Sequence, residues 1–359
     1  MRRLFMDGWI KNYIVLTGMA LVSLTFYSCE SVHYYSQAIQ GQYRILENRQ
    51  PISDILADPE SPESLRQKLA FILALRHFAA NELQLPVKDN YLTYVDLKRP
   101  YVVWNVFAAP EFSLAPKTWC YPVVGCAAYR GYFTAKNARQ FADELSDQGY
   151  EVYVAGVTAY STLGWFDDPV LSTFINISKA RSAALIFHEL AHQVLYVKGD
   201  TAFNESFATT VEQEGLQRWQ AATRSSHIYN DYLAGYDRQQ QFIRLIMDYR
   251  RTLEILYQSD ASVETKREKK ASIYSELRDE FDRLKTDDNG LSAYDNWMRE
   301  SLNNAKISSV AAYHDFVPAF QKMLAKNEGN LNQFYRQCRE LAQAPPDQRH
   351  RILNNYLEN

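Results

Sequence analysis

The apolar positions in the first part of the chain recur at helical spacing. Residues 30–52 read as a helix that ends near Pro51, and residues 58–83 carry an apolar stripe behind Ser61 or Ser64, either of which would cap a helix. Both segments are therefore predicted to be surface helices that turn one face to a core.

The periodicity changes after residue 91. Residues 101–112 and 151–166 are runs of β-branched and aromatic residues broken by Pro and Gly, which predicts strands. Residues 136–150 between them have helical spacing, and Gly149 is a stop signal. The middle of the chain is expected to mix α and β structure.

Beyond Asp200 the pattern is helical almost throughout. Residues 238–285 predict two antiparallel helices, residues 287–290 form a turn signal, and two more helices follow, with Pro345-Pro346 closing the last element. We predict an α+β, predominantly helical fold with a mixed sheet upstream of a buried helix near residue 188. With no repeat or linker, residues 30–359 form one unit, α/β over about 30–180 and helical over 181–359.

Composition supports a globular protein and excludes one class of partner. Of the 359 residues, 47% are hydrophobic, enough for a sizeable core. The net charge is −3 and no long basic run occurs, so a nucleic-acid partner is not expected.

The N-terminus has the pattern of an export signal over residues 1–28. Two arginines near the start precede an apolar run that ends at Ser28-Cys29. This ending resembles the lipobox of bacterial lipoproteins, which implies that Cys29 carries lipid. Glu30 then favours a periplasmic protein held at the outer membrane. The alternative is an uncleaved N-terminal segment that anchors the chain in a membrane.

Two further cysteines leave alternatives open. Cys120 and Cys126 bracket a five-residue segment and could form a disulfide in an oxidising compartment, or could be two buried thiols.

Residues 187–212 contain the strongest chemical signal. On a helix, His188 and His192 lie one turn apart on the same face, so both imidazoles can bind one ion. Glu189 is rotated by about 100° from His188, away from the ion but near a water bound to it. A zinc site with an open position and an adjacent carboxylate base is the predicted arrangement.

A third ligand is expected from the next segment. Glu205 follows a turn at Gly199-Asp200, and Asn204 is expected near the cap of a second, antiparallel helix. The first helix, over residues 183–197, is apolar almost all round and should be buried. Buried histidines and carboxylates need partners, and one Zn²⁺ would satisfy them. The alternative is an ordinary helix without a metal, whose sequence matches the motif by chance.

Residues 204–212, "NESFATTVE", resemble the N-E-G-F-A-x-x-x-E stretch of aminopeptidase N-type enzymes and other gluzincins. The resemblance implies His188, His192 and Glu205 as zinc ligands and Glu189 as catalytic base. It also implies supporting roles behind the ligands for Thr209 and Glu212. The G-x-M-E-N segment of those enzymes, whose glutamate holds a substrate amine, is missing, so exo- and endopeptidase activity both stay open.

Nearly the whole chain is similar to a bacterial family of predicted aminopeptidases. The resemblance is carried by the zinc stretch and by the segments at 34–42, 101–114, 119–133, 159–174 and 302–320. It implies a zincin-like metallopeptidase that acts on a peptide.

Two weaker expectations concern the substrate. Tyr313, or His314 beside it, could stabilise an oxyanion, although packing in a core is the alternative. Tyr160, Ser161 and Thr162 could line a cleft along an edge strand to which an extended peptide adds, or could belong to a structural strand and turn.

Two other functions compete with a peptidase. The chain could be a zinc-bearing lipoprotein that binds or assembles partners without hydrolysis. It could also hydrolyse an ester or a cell-wall amide with the same zinc chemistry.

Overall fold

The computed structural model describes residues 34–121, 125–159, 162, 166–224, 227–285, 290–310 and 316–358. The chain divides into two compact units, with the boundary between Asn48 and Arg49. In the first unit the described element is one helix, α1, over residues 34–47. Within the residues described, no helix combines the length and the apolar character needed to cross a membrane.

The second unit contains short strands in its first half and helices throughout. Its strands are β1 Gln50–Pro51, β2 Thr93–Val95, β3 Val103–Pro110, β4 Trp119–Tyr121, β5 Gly125–Ala127, β6 Arg130–Tyr132, β7 Tyr150–Val157 and β8 Val170–Leu171. Its helices are α2 Ile52–Ala57, α3 Glu63–Asn81, α4 Ala135–Asp147, α5 Lys179–Val194, α6 Thr201–Thr223, α7 Ile228–Gln258, α8 Val263–Leu284, α9 Asp295–Arg299, α10 Asn304–Ser309, α11 Val317–Lys326, α12 Leu331–Ala342 and α13 Pro346–Glu358. The predicted α+β, mainly helical fold is confirmed.

The strands form three small sheets. In the largest, β3 pairs antiparallel with both β6 and β7, and its register with β7 runs from Val103 opposite Val157 to Pro110 opposite Tyr150. A second sheet has the order β1-β2-β8, with β2 and β8 parallel. The third is the β4-β5 hairpin, in which Cys120 and Cys126 pair and form a disulfide. The disulfide is therefore the alternative that the structure contains.

Several helix boundaries follow the sequence signals, and others do not. Gly149 ends the helix before it with a φ of +85°, a conformation that glycine adopts at little cost. Helix α3, by contrast, begins behind Pro62 and has no side-chain cap, so the prediction of Ser61 or Ser64 as cap is wrong. Pro345-Pro346 does not close the last element, because Pro346 starts α13, and proline is well tolerated in a first helical turn.

The long helices α7 and α8 pack together and are fastened to the largest sheet by buried polar groups. Lys270 of α8 donates to the Glu151 carboxylate on β7 and, at 2.7 Å, to the carbonyl of Glu111. The backbone N–H of Asn304 donates to the other Glu151 carboxylate oxygen at 2.6 Å. The side-chain oxygen of Asn304 accepts hydrogen bonds from the hydroxyls of Tyr257 and Tyr274. Each buried polar group in this cluster has a partner, which is what its burial requires.

The sheet β1-β2-β8 leads directly to α5. Both residues of β8 are buried, and the chain then reaches Ser178, whose hydroxyl accepts the Arg181 amide at 3.3 Å and caps α5. Nine residues of α5 are buried, as its apolar sequence predicts.

Helix α6 can lie close against α5 because residue 215 is glycine. A Cβ built at Gly215 would lie 2.7 Å from the Phe187 ring and 2.7 Å from the end of the Leu83 side chain. Phe187, on α5, is fully buried and cannot move freely. Helix α3 adds the Phe78 ring, 6.0 Å from that of Phe187.

We predict that Gly215→Ala lowers the melting temperature. Overpacking a core costs roughly 1–3 kcal/mol, which exceeds the about 1 kcal/mol that alanine gains over glycine inside a helix. Thermal unfolding followed by circular dichroism measures the change. Gly235→Ala on α7 is the matched control, because its Cβ would meet only the Arg238 side chain at 3.7 Å, and it should be neutral or stabilising. Equal behaviour of the two variants would contradict this account of the helix contact.

Candidate metal centre

Helices α5 and α6 form an antiparallel hairpin whose turn is held by side chains. Gly199 takes a φ of +81°, and the Asp200 carboxylate caps α6 by accepting the Phe203 amide at 3.1 Å. Asn204 lies inside α6 rather than at its cap. Its amide group bonds the backbone N–H and C=O of Val197 at 2.7 and 2.8 Å, which ties the turn to the helix.

The hairpin brings His188, His192 and Glu205 together. One ligand atom from each lies within 4.8 Å of the others, so the group could hold a metal ion. The Glu205 carboxylate lies 3.2 Å from His188 Nε2 and 3.6 Å from His192 Nε2, and the two rings meet edge to face with centroids 4.9 Å apart.

The chemistry of these donors fits a divalent ion. Tetrahedral zinc with ligands at about 2.0–2.1 Å sets neighbouring donor atoms about 3.3 Å apart. The two separations from Glu205 to the histidine nitrogens bracket that value, and 3.6 Å is too long for a hydrogen bond. Among the described residues, buried His192 Nδ1 has no hydrogen-bond partner, and the ring packs edge to face against those of His188 and Tyr196. Two imidazoles and one carboxylate leave a fourth position open.

Glu212 lies behind His188, two turns along α6 from Glu205. Its carboxylate is 2.9 Å from His188 Nδ1, while Nε2 of the same ring faces Glu205. A carboxylate in this position orients a metal-binding histidine and raises its basicity. Thr209, between the two glutamates on α6, is buried.

Glu189 is half-buried beside these groups and is surrounded by negative charge. Burial raises the pKa of Glu189 to about 7; His188 opposes the shift, and the charges of Glu205 and Asp168 add to it. A carboxyl group whose pKa lies near neutrality can both take up and release a proton at physiological pH, as a general acid–base catalyst must.

The pKa values of the two histidines shift in opposite directions. Burial alone would lower the pKa of His188, but hydrogen bonds with Glu205 and Glu212 raise it well above its usual value. Burial, together with the charge of the nearby His188, lowers the pKa of His192 to about 4, although Glu205 opposes the shift. His188 therefore holds a proton that a metal ion would have to displace.

The start of α6 is also fixed from the far end of the chain. The Asp200 Oδ2 atom accepts two hydrogen bonds from Arg349 of α13, at 2.8 and 2.6 Å, and lies 2.8 Å from His350 Nε2. Asp200 and Arg349 are both buried. The same carboxylate thus caps the helix that carries Glu205 and holds α13 in place.

Of the residues predicted to contact substrate, the structure describes only Thr162. Thr162 is described: its hydroxyl donates to Asp168 at 2.7 Å, and its amide donates to the same carboxylate. Tyr160, Ser161, Tyr313 and Cys29 lie outside the described residues. The edge strand β7 ends at Val157, at the start of the segment for which an edge strand was predicted, and residues 160, 161 and 163–165 of that segment lie outside the described residues.

Two residues near Glu189 were missed by the sequence patterns. Tyr91 is buried with a left-handed φ of +62°, unusual for an aromatic residue, and its amide donates to the Asp168 carbonyl at 2.7 Å. Burial raises the pKa of Tyr91 well above its usual value, and the charges of Glu189 and Asp168 add to the effect. The Asn90 side chain accepts the Asp168 amide at 2.8 Å and so holds this conformation. The turn residues at 88–90 indicate a loop but carry no signal for a strained tyrosine.

Comparison with known protein families places most of the chain in one of them. The model of a protein family described as putative aminopeptidase matches residues 33–353. No curated protein and no solved structure matches the chain.

We predict that binding of a divalent ion at this centre strengthens as the pH rises. His188 must be unprotonated at Nε2 to bind a metal, and its raised pKa extends proton competition to higher pH than for an ordinary histidine. The apparent affinity should therefore rise with pH, by at most about tenfold per pH unit, until His188 has lost this proton. Competition with a chromogenic chelator measures the affinity, and calorimetry in buffers of different ionisation enthalpy measures the proton released. A pH-independent affinity would contradict the assignment of that proton.

Proposed function

This chain belongs to the putative aminopeptidase family, and we propose that it is a zinc-dependent peptidase whose metal is held by His188, His192 and Glu205. The observation that carries the proposal is the convergence of these three side chains with Glu189 next to them in the sequence. Zinc suits two imidazoles and one carboxylate better than magnesium or calcium, which prefer sites built mainly from oxygen ligands.

In the proposed reaction, zinc would supply Lewis acidity that polarises the scissile carbonyl. Glu189 takes a proton from the attacking water and passes it to the leaving amine as the peptide bond breaks. A carboxyl pKa of about 7 before metal binding reflects its burial and the surrounding carboxylates, and a nearby cation would shift it toward the ionised, basic form. Glu212 holds the His188 ring in the orientation that metal binding needs.

We further propose that the protein is exported and anchored to a membrane, through lipid on Cys29 or through an uncleaved N-terminal segment. The apolar N-terminal sequence supports export, and the Cys120–Cys126 disulfide fits an oxidising compartment. The proposed substrate is a peptide that reaches this compartment.

The central prediction concerns Glu189→Gln and His188→Ala. Glu189→Gln should keep one zinc per chain but lose peptide hydrolysis by at least about a hundredfold, because general base catalysis contributes about 10²–10⁴-fold. His188→Ala should lose both the metal and the activity. Elemental analysis of gently purified protein and hydrolysis of a mixed peptide library measure the two properties.

Glu144→Gln, on the exposed face of α4, is the control and should match the wild type in both assays. Wild-type protein that holds far less than one zinc per chain, even after incubation with zinc, would contradict the proposal. A full metal content without hydrolysis of any peptide would favour a binding module or a non-peptide hydrolase.

The same library settles where the enzyme cuts. Each peptide is supplied with a free and with an acetylated α-amine. Cleavage of only the free-amine peptides indicates an aminopeptidase, and equal cleavage of both forms indicates an endopeptidase.

A further inference from the structure

The row of aromatic rings at the metal centre continues past the histidines to Tyr196. The centroid of the Tyr196 ring lies 5.9 Å from that of His192, and the two rings meet edge to face, as those of His192 and His188 do. Helix α5 ends at Val194, and the next residue, Leu195, is already extended. The Tyr196 ring therefore contacts a proposed ligand although its backbone has left the helix.

Tyr196 and Glu205 are the exposed groups of this row and its ligands. Of the three proposed ligands, Glu205 has the most accessible side chain, at 29%, against 16% for His188 and 6% for His192. Tyr196 is more accessible still, at 46%. Burial of the rest of the ring raises the pKa of the Tyr196 hydroxyl, and the charge of Glu205 adds to the shift. A molecule that approaches the centre from solvent therefore meets Tyr196 and Glu205 before the buried His192.

The backbone beside Tyr196 is held in place from α6. The buried side chain of Asn204 bonds both the N–H and the C=O of Val197, at 2.7 and 2.8 Å, and the Asp200 amide donates to the same carbonyl at 3.2 Å. Single exposed aromatic residues are common and need no functional explanation. Tyr196 differs because its neighbour is fixed to the helix that carries Glu205, and a binding residue is most precise on such a rigid support.

We infer that Tyr196 is a specificity-determining residue, whose ring binds an apolar side chain of the peptide next to the scissile bond. The inference rests on the proposed function and names the kind of peptide that the site prefers. A peptide carbonyl at the open position of the centre brings the two side chains that flank it close to the groups around the ligands. The Tyr196 ring offers these side chains an apolar surface, and pockets for small ligands are lined mainly by apolar and aromatic groups.

The test compares peptides that differ in the size of one side chain. In a peptide that the wild type cleaves, each of the two residues flanking the scissile bond is changed in turn to leucine, phenylalanine or alanine. The ratio of kcat/KM for a large and a small side chain measures the preference. One methylene group in a hydrophobic pocket changes kcat/KM by about 10–200-fold, so we expect a half-exposed ring to give a preference of about tenfold at one of the two positions.

Tyr196→Ala should remove most of this preference, while kcat/KM for the alanine peptide stays within about twofold of the wild-type value. Tyr196→Phe keeps the ring and should keep the preference. Elemental analysis should find the wild-type zinc content in both variants. Tyr249→Ala is the matched control: it removes an equal ring from the contact of α7 with α8, where the Tyr249 hydroxyl donates to the Glu276 carbonyl at 3.1 Å, and should leave the preference unchanged.

Three results would overturn the inference. A wild type without any preference for large side chains shows that no apolar subsite exists. Equal losses for large and small side chains in Tyr196→Ala indicate a structural role, and a loss in Tyr196→Phe as large as in Tyr196→Ala indicates a role of the hydroxyl. If Tyr196→Ala does not fold, Tyr196→Gln supplies a polar side chain at the same place and should lose the same preference.

The outcomes also distinguish this inference from the proposed function. Failure of the wild type to bind zinc or to cleave any peptide refutes the proposed function. Zinc binding and cleavage with a preference that Tyr196→Ala leaves unchanged refute only the role of Tyr196.

Discussion

The close approach of α5 and α6 is the constraint on which the centre depends. It is possible because Gly215 offers no side chain to the buried Phe187 ring, the residue directly before His188. At this spacing the glutamates of α6 reach the histidines of α5 within about the range of metal ligands, and no loop has to supply a donor. Backbone packing, rather than side-chain flexibility, sets the geometry of the site.

Charge is the second consequence of that packing. Glu189, Glu205 and Glu212 surround two imidazoles in a half-buried position where mutual repulsion is poorly screened. Burial, with the neighbouring carboxylates, raises the pKa of Glu189, and hydrogen bonds with Glu205 and Glu212 raise that of His188, so both groups favour their protonated forms. A divalent ion would replace these protons. The same cluster of carboxylates that repel one another without a cation would therefore favour the binding of one.

Local patterns in the sequence predict the elements that form the site, while the contacts that brace them come from distant segments. The helical spacing of His188 and His192, the glycine stops and the two long helices can all be read from neighbouring residues. The pairing of Asp200 with Arg349 and the left-handed Tyr91 cannot, because each depends on a partner elsewhere in the chain. Pro346 shows the converse: a residue that ordinarily marks the end of a helix also suits the beginning of one.

The Asp200–Arg349 ion pair spans 149 positions and couples α13 to the first turn of α6. A buried pair is expensive to break from one side, since the remaining charge is left without a partner. In a genetic screen scored by activity, substitutions at Arg349 would consequently resemble lesions of the proposed metal ligands, although Arg349 is not one of them. Proteolytic sensitivity near residue 200, not loss of turnover alone, would distinguish such variants from true ligand mutants.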